Sequence, residues 1–276
     1  MLNVSLVLYK TNYSEVENLI KELATCEHIN NIYIIDNSPI KSDIYNSLGS
    51  KIIYDFTGTN LGFGKAHNIA IAKSIKCQIE YHLIINPDVN LHKEVIDKIY
   101  EFMIKNPICG IASPKILYNN EDLQRLCKKI PNPIELFGKR IPIKPISDYF
   151  TKKIELHGFN YNTRLNVPYL SGCFMFCRTE ALEEIGGGFD KRYFMYMEDL
   201  DLTRSIHENY DTLFLPDVSI FHGYRSESKT NFKLLIALVI SALKYYNKWG
   251  WVFDKKKKRI NKFLMNKLEE CNKANI

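Results

Sequence analysis

The chain has 276 residues, 46% hydrophobic and 25% charged, enough to build one large core or two small ones and too apolar for a disordered chain. Its net charge of +6 is a property of one end: Lys244 to Ile276 holds ten Lys/Arg against three Asp/Glu, leaving about −1 for the rest, which argues against a nucleic-acid-binding face. Seven scattered cysteines without a C-x-x-C pair exclude a disulfide framework, and the apolar opening is too short for a secretory leader, so the cysteines read as reduced thiols of a cytoplasmic protein.

In chain order, "NVSLVLY" reads as a strand and "SEVENLIKELATC" as an amphipathic helix opened by Ser14. "NIYIIDNS" is a second strand, ending in Asp36 and Asn37, and "KIIYDF" a third. "NLGFGKAHNIAIAKSI" is a glycine-rich turn entering a helix, the kind of place where anions bind; it contains Asn60, Gly62, Lys65 and Asn68. "YHLIINPDV" is a fourth strand, ending in Asn86, Pro87 and Asp88; a helix "KEVIDKIYEFMIKN" and a short strand "CGIASP" follow. Strands and helices in alternation predict an α/β fold, a mostly parallel sheet flanked by helices. Ligands bind such sheets beyond the carboxyl ends of the strands, where Asp36, Asn86 and Asp88 stand.

From about Tyr118 to Asn166 periodicity fails, and Pro131, Pro133, Pro142 and Pro145 punctuate a Lys-rich stretch that reads as a functional loop or small subdomain. "VPYLSGCFMFCR" restores a strand, with Gly172 inside it, and a helix "TEALEEIG" and three glycines come next. "YFMYMEDLDLTRS" then sets Glu198, Asp199 and Asp201 behind large apolar and aromatic side chains, Tyr196 among them. Three carboxylates there can simply start a helix, stabilised by its dipole. The alternative is that the aromatic wall excludes water and raises the basicity of one of them. "DTLFLPDVSIFHGYRS" reads as a last strand pair ending at His222, with Gly223, Arg225 and Ser226 suited to a diphosphate or a metal-bound diphosphate.

The ordered set "IIDNS", "NLGFGKAHNIAI", "INPDV", "SGCFMF", "GGGFDKRYFMYMEDLDLTRS" and "IFHGYRS" resembles the family 2 glycosyltransferases of GT-A fold, in particular the rhamnosyltransferase-like branch of bacterial O-antigen and capsular polysaccharide synthesis. The resemblance runs from about residue 3 to 228 and implies a catalytic domain at 1–230, with 118–166 on the acceptor side. By the resemblance, Asp36, Asn37, Asn60, Gly62, Lys65, Asn68, Asn86, Asp88 and Arg225 bind the nucleotide-sugar donor. Asp88 and His222 hold Mg²⁺ or Mn²⁺, and Asp199, paired with Glu198, is the general base. Gly172, Tyr196, Glu198 and Asp201 meet the acceptor, a lipid-linked oligosaccharide. Asn86 departs from the broader family, which often has Asp there, and so leaves one carboxylate fewer for the metal. The competing readings are a catalytically silent sugar-nucleotide binder acting as an assembly scaffold, and a nucleotidyltransferase.

Residues 231–276 read as a helical, basic extension. "LLIALVISAL" is about half the ~20 residues needed to span a bilayer. With the aromatics and the charge run behind it, this tail either packs on the catalytic domain or in an oligomer interface, or rests on the anionic inner face of the plasma membrane.

Overall fold

The computed structural model describes residues 1–223 and 232–273. In chain order the elements are β1 (Leu2–Leu8), α1 (Tyr13–Thr25), β2 (Ile29–Asp36), β3 (Ile52–Phe56), α2 (Phe63–Lys76), β4 (Tyr81–Ile85), β5 (Val89–Asn90), α3 (Lys93–Lys105) and β6 (Cys109–Leu117). They continue with α4 (Pro133–Gly138), α5 (Lys144–Ile154), β7 (Leu165–Asn166), β8 (Phe174–Arg178), α6 (Thr179–Glu184), α7 (Glu198–Ile206), β9 (Asp211–His222), α8 (Phe232–Trp249) and α9 (Lys255–Lys273).

One sheet organises the chain, in the order β3-β2-β1-β4-β8-β6-β9-β5, with β7 on β9. The first four strands are parallel, as the alternation predicts. β8 then runs antiparallel between β4 and β6, while β6 and β9 pair in parallel.

Period-two alternation sorts the two faces. Val4, Leu6, Ile32, Ile34, Leu83 and Ile85 pack with Val16, Leu19, Leu23, Ile96 and Ile99 of α1 and α3. Tyr33 and Ile35 meet Ala66 and Ala70 of α2 on the other face. There β1 also presents polar residues: Ser5 bonds His67 Nδ1 at 2.7 Å and His82 Nε2 at 2.8 Å, and Ser74 Oγ reaches His82 Nδ1 at 2.8 Å. Both imidazoles are fully buried, and burial holds both well below the usual histidine range.

Three sequence expectations change. The last strand pair is a single strand, β9, whose register against β6 slips between Leu215 and Ser219, around Pro216, which has no N–H to give the ladder. "YHLIINPDV" divides into β4 and the two-residue β5, separated by Pro87. The 118–166 stretch contains α4, α5 and β7. All seven cysteines are free, and five are buried.

The C-terminal stretch is built into the fold. Leu238, Ala242, Tyr245 and Tyr246 of α8 share a core with Ile130, Leu136, Tyr193, Met197 and Leu200. Leu264 and Leu268 of α9 enter the core that holds Phe159, Tyr161 and Phe214. Asn261 bonds both the N–H and the C=O of Ile130. Among the described residues no helix is long and apolar enough to cross a membrane.

Candidate active site

The carboxyl ends of β2 and β4, the turn before β8 and the start of α7 converge on one edge of the sheet. On the β2 side, the Asp36 carboxylate accepts from Ser38 N at 2.9 Å and Tyr54 Oη at 2.7 Å. Asn37 donates to the Gly62 carbonyl at 3.2 Å, and Asn60 Oδ1 accepts from Gly62 N at 2.9 Å. Gly62 has φ +82°, and a Cβ there would stand 2.0 Å from the Phe194 carbonyl oxygen, so only glycine fits. Phe63 N donates to that same oxygen at 3.1 Å. The glycine loop is thereby joined to the aromatic block 130 residues further on. Lys65 is exposed in the first turn of α2.

On the β4 side, Asn86 N donates to the Cys173 carbonyl at 2.9 Å. His222 arrives from the end of β9, with Nε2 3.3 Å from Asp88 Oδ1 and 3.4 Å from Asn86 Nδ2. Gly223 N donates to the Asp88 carbonyl. Gln124 fixes the ring. Its amide nitrogen donates to the His222 carbonyl at 2.7 Å, which leaves Oε1, 3.0 Å from Nδ1, to accept. Nδ1 therefore carries a proton, which makes Nε2 the ring nitrogen that would ligate beside the Asp88 carboxylate. An imidazole nitrogen and a carboxylate at one point suit a divalent cation, and an amide that holds the far ring nitrogen in this way orients a ligating histidine. Among the described residues no three His, Cys, Asp or Glu side chains gather as a metal cluster. A cation held by Asp88 and His222 would therefore complete its shell with Asn86, substrate oxygens or water.

At the start of α7, Tyr196 and Met197 both have φ +67°, a left-handed turn that non-glycine residues rarely adopt. It delivers Glu198 and Asp199 into the first helical turn. Asp199 accepts from Leu200 N at 2.8 Å and from Gly172 N at 3.4 Å. A Cβ on Gly172 would lie 3.3 Å from that of Asp199, tight enough to press it aside. Glu198 is 6% exposed, and its Oε2 has no hydrogen-bond partner among the described residues. Burial, then the adjacent Asp199 charge, raises the Glu198 carboxyl above the usual carboxylate range. Burial raises Asp199 too, while the Lys128 ammonium pulls it back down. Lys128 sits 4.9 Å over the ring of Tyr169, whose phenol is held up by burial and then by the Asp199 and Glu198 charges.

Two expected site residues serve elsewhere. Asp201 is 2% exposed and fully engaged: Trp249 Nε1 donates to it at 2.6 Å, Lys248 Nζ at 2.7 Å and Tyr193 Oη at 3.3 Å. It ties α7 to α8. Asn68 clamps the backbone of Phe189, donating at 2.7 Å and accepting at 2.8 Å, and so shapes the loop before the aromatic block. Arg225 lies outside the described residues. Lys128, Tyr169 and Gln124 had no signal in the sequence: Gln124 and Lys128 stand in the stretch where periodicity fails, and Tyr169 reads as an ordinary residue of the strand after it.

No protein-family model matches the chain. In sequence it is 27% identical over 181 residues, 60% of this chain and 57% of the relative, to an N-acetylglucosaminyl-diphospho-decaprenol L-rhamnosyltransferase of Mycobacterium tuberculosis. It is 25% identical over 210 residues, 75% of this chain and 62% of the relative, to the low-salt glycan biosynthesis hexosyltransferase Agl10 of Haloferax volcanii. The chain thus spans less than two thirds of the length of these curated relatives. Among solved structures it is similar to GalNAc-T7 with UDP, GalNAc and Mn²⁺ (TM-score 0.63, 13% identity, 92% of this chain and 48% of that one). It is also similar to S. aureus TarS (TM-score 0.58, 15% identity, 96% and 43%). A third neighbour is the mannosyltransferase PcManGT of Pyrobaculum calidifontis with GDP-Man and Mn²⁺ (TM-score 0.52, 13% identity, 83% and 58%). The fold is the GT-A fold of glycosyltransferases, and the sequence relatives are a rhamnosyltransferase and a glycan hexosyltransferase by name.

Proposed function

We propose that this chain is an inverting glycosyltransferase that moves a sugar from a nucleotide-sugar donor to a hydroxyl of a lipid-linked oligosaccharide in surface polysaccharide synthesis, O-antigen or capsule. One observation carries the reading. Gly172 donates to Asp199 while the next residue, Cys173, accepts from Asn86, so the carboxylate pair and the Asp88–His222 pair flank one two-residue step of backbone. This neighbourhood supports a transfer reaction, in which a base works on one side of the anomeric carbon and the diphosphate leaves on the other.

In the reaction the acceptor oxygen forms a bond to the anomeric carbon as the bond to the diphosphate oxygen breaks. The hydroxyl proton passes to Asp199, a transfer worth about 10²–10⁴-fold in rate. Burial and the Asp199 charge work against ionising Glu198, which favours Asp199 as the ionised member of the pair. Lys128 stabilises that ionised form. With one base and no protein nucleophile aligned, the product is inverted. A Mg²⁺ or Mn²⁺ ion held by Asp88 and His222 would neutralise charge on the diphosphate. Rhamnose carried on dTDP is the favoured donor, supported by the mycobacterial relative's name, with UDP-hexoses and UDP-galactofuranose as competitors.

The test is a donor panel against a synthetic N-acetylglucosaminyl-diphospho-polyprenol, with wild type and Asp199→Asn. Wild type should transfer sugar, and the variant should lose about 10²-fold or more in turnover with nucleotide affinity unchanged. Pyrophosphate release would instead reveal a nucleotidyltransferase. Nucleotide binding without turnover of any donor would reveal a silent binder.

A further inference from the structure

We propose that Phe63 and Phe194 form an aromatic wall that holds the donor's sugar by its C5–C6 edge, and that this wall selects a 6-deoxyhexose over a hexose. This rests on the transferase reading and adds to it the residues that choose the sugar.

Phe63 opens α2, directly after Gly62 of the glycine loop. Two rings back it edge-on, His67 at 4.4 Å between centroids and Phe189 at 5.6 Å. Both neighbours are themselves held. His67 is fully buried and bonded to Ser5, and Asn68 clamps the Phe189 backbone. The Phe63 ring is thus fixed in place, yet it stays partly exposed. Its tip lies against Gly172. A Cβ built there would stand 3.2 Å from Phe63 Cε1, 3.4 Å from Cζ and 3.3 Å from the Asp199 Cβ. The ring tip and the base therefore meet across a residue with no side chain to part them.

Phe194 stands over the glycine loop from the aromatic block. A Cβ on Gly62 would lie 2.9 Å from Phe194 Cδ2, and the Phe194 carbonyl accepts from Phe63 N at 3.1 Å. Its backbone is held by that bond, while the residue is 41% exposed. Aromatic rings that the core leaves uncovered, fixed beside the reacting groups, are a surface for a ligand.

Position decides which part of the ligand they meet. The glycine loop serves the donor and Asp199 the acceptor hydroxyl, so the sugar in transfer lies between them. Chemistry decides which sugar. In a pyranose donor C1 carries the diphosphate, and C2, C3 and C4 carry polar groups. C5 and C6 make the edge that can go without a hydroxyl. A 6-deoxyhexose presents a methyl group there, which packs on a ring face. A hexose would press its C6 hydroxyl against carbon, and neither ring offers that hydroxyl a partner. A wall of this kind rejects an added hydroxyl by at most about 10²-fold.

Two donor pairs test this, each differing only in the C6 hydroxyl: dTDP-L-rhamnose with dTDP-L-mannose, and UDP-6-deoxyglucose with UDP-glucose. Calorimetric titration without acceptor reads the binding of each donor and of free dTDP and UDP, and transfer assays read kcat/KM. Wild type should favour the 6-deoxy member of the pair it uses by about 10–10²-fold in kcat/KM, and bind it more tightly. Phe63→Asn, which supplies an amide for the hydroxyl, should cut the preference below about threefold while free nucleotide binds as before. Phe194→Ser, at an exposed side chain, should narrow the preference and keep the wild-type melting curve; it carries the test if Phe63→Asn does not fold. Three results overturn the proposal: wild type that does not distinguish the members of either pair, variants that keep the full preference, or variants that lose free nucleotide in step with donor, which would make both rings supports of the glycine loop. Wild type that prefers the 6-deoxy donor in binding but transfers neither would refute the transferase reading alone, and equal transfer from both would refute the wall alone.

Discussion

Asp254→Ala tests whether the C-terminal helices are part of the catalytic fold. Asp254 is buried against Arg204 of α7, with a 2.7 Å contact and side chains 4% and 1% exposed. Its other oxygen accepts from Lys257 N at 2.8 Å and so caps α9. Arg204 also donates to Tyr245 Oη at 2.9 Å and stacks 4.0 Å over Trp249. Removing Asp254 strands a guanidinium that water does not reach, a loss of about 3–5 kcal/mol, and deletes an N-cap worth about 1 kcal/mol. For a chain of this size each kcal/mol shifts Tm by roughly 2–4 °C, so the transition should fall by about 10–20 °C. Differential scanning calorimetry or fluorescence-monitored melting reads it directly. Arg204→Met combined with Asp254→Ala should recover part of the loss, because no lone buried charge remains. A fall below about 3 °C in the single variant would mean that α9 hangs on a separable tail and that the pair does not brace α7.

Further outcomes follow from the same geometry. Gly62→Ala should reduce turnover at least tenfold and lower stability by about 1–3 kcal/mol, since its Cβ meets the Phe194 carbonyl in a left-handed backbone; unaltered kinetics would dissociate the glycine loop from the aromatic block. Gln124→Leu should weaken Mn²⁺-dependent nucleotide binding about 10–100-fold and leave metal-free binding alone; equal losses in both would make Gln124 a packing residue. Stability should fall as pH drops below about 6.5, because His82, held at about 3 by burial, stays neutral in the fold while the unfolded chain takes up the proton. Each such histidine contributes at most about 1.4 kcal/mol per pH unit, so denaturation midpoints that stay flat from pH 7 to 5 would contradict the buried-neutral assignment.

Most of the sheet was legible because β1 to β4 and α1 to α3 obey simple periods, and Asp36, Asn86 and Asp88 stand where strands end. The carboxylate cluster was legible as a group, but its division of labour was not. Asp199 and Asp201 are two residues apart, and such positions point to different sides of a helix. That signal was present in the sequence, and it is why Asp201 meets Trp249 of α8 while Asp199 meets Gly172. Lys128, Tyr169 and Gln124 were invisible for a different reason. They reach the site through long-range pairing, such as the Lys128–Tyr169 bridge, and Gln124 and Lys128 lie in a segment whose prolines erase any period. For α8 the sequence left packing and membrane contact open, because apolar residues lie on more than one of its sides and give no hint of which face the core takes.

The left-handed turn at Tyr196 and Met197 bears on how this sequence can vary. Glycine at position 197 would relieve roughly 1–2 kcal/mol of backbone strain. Yet Met197 is 3% exposed in the core that joins α7 to α8, and deleting a buried methionine costs about 2–5 kcal/mol. Backbone and side chain demand different residues at one position, and the side chain wins. This is local frustration retained next to the reacting groups. Relief at position 197 therefore requires a compensating change among its partners Leu200, Leu238 or Tyr245, so these positions should vary together in any search for stabilised variants.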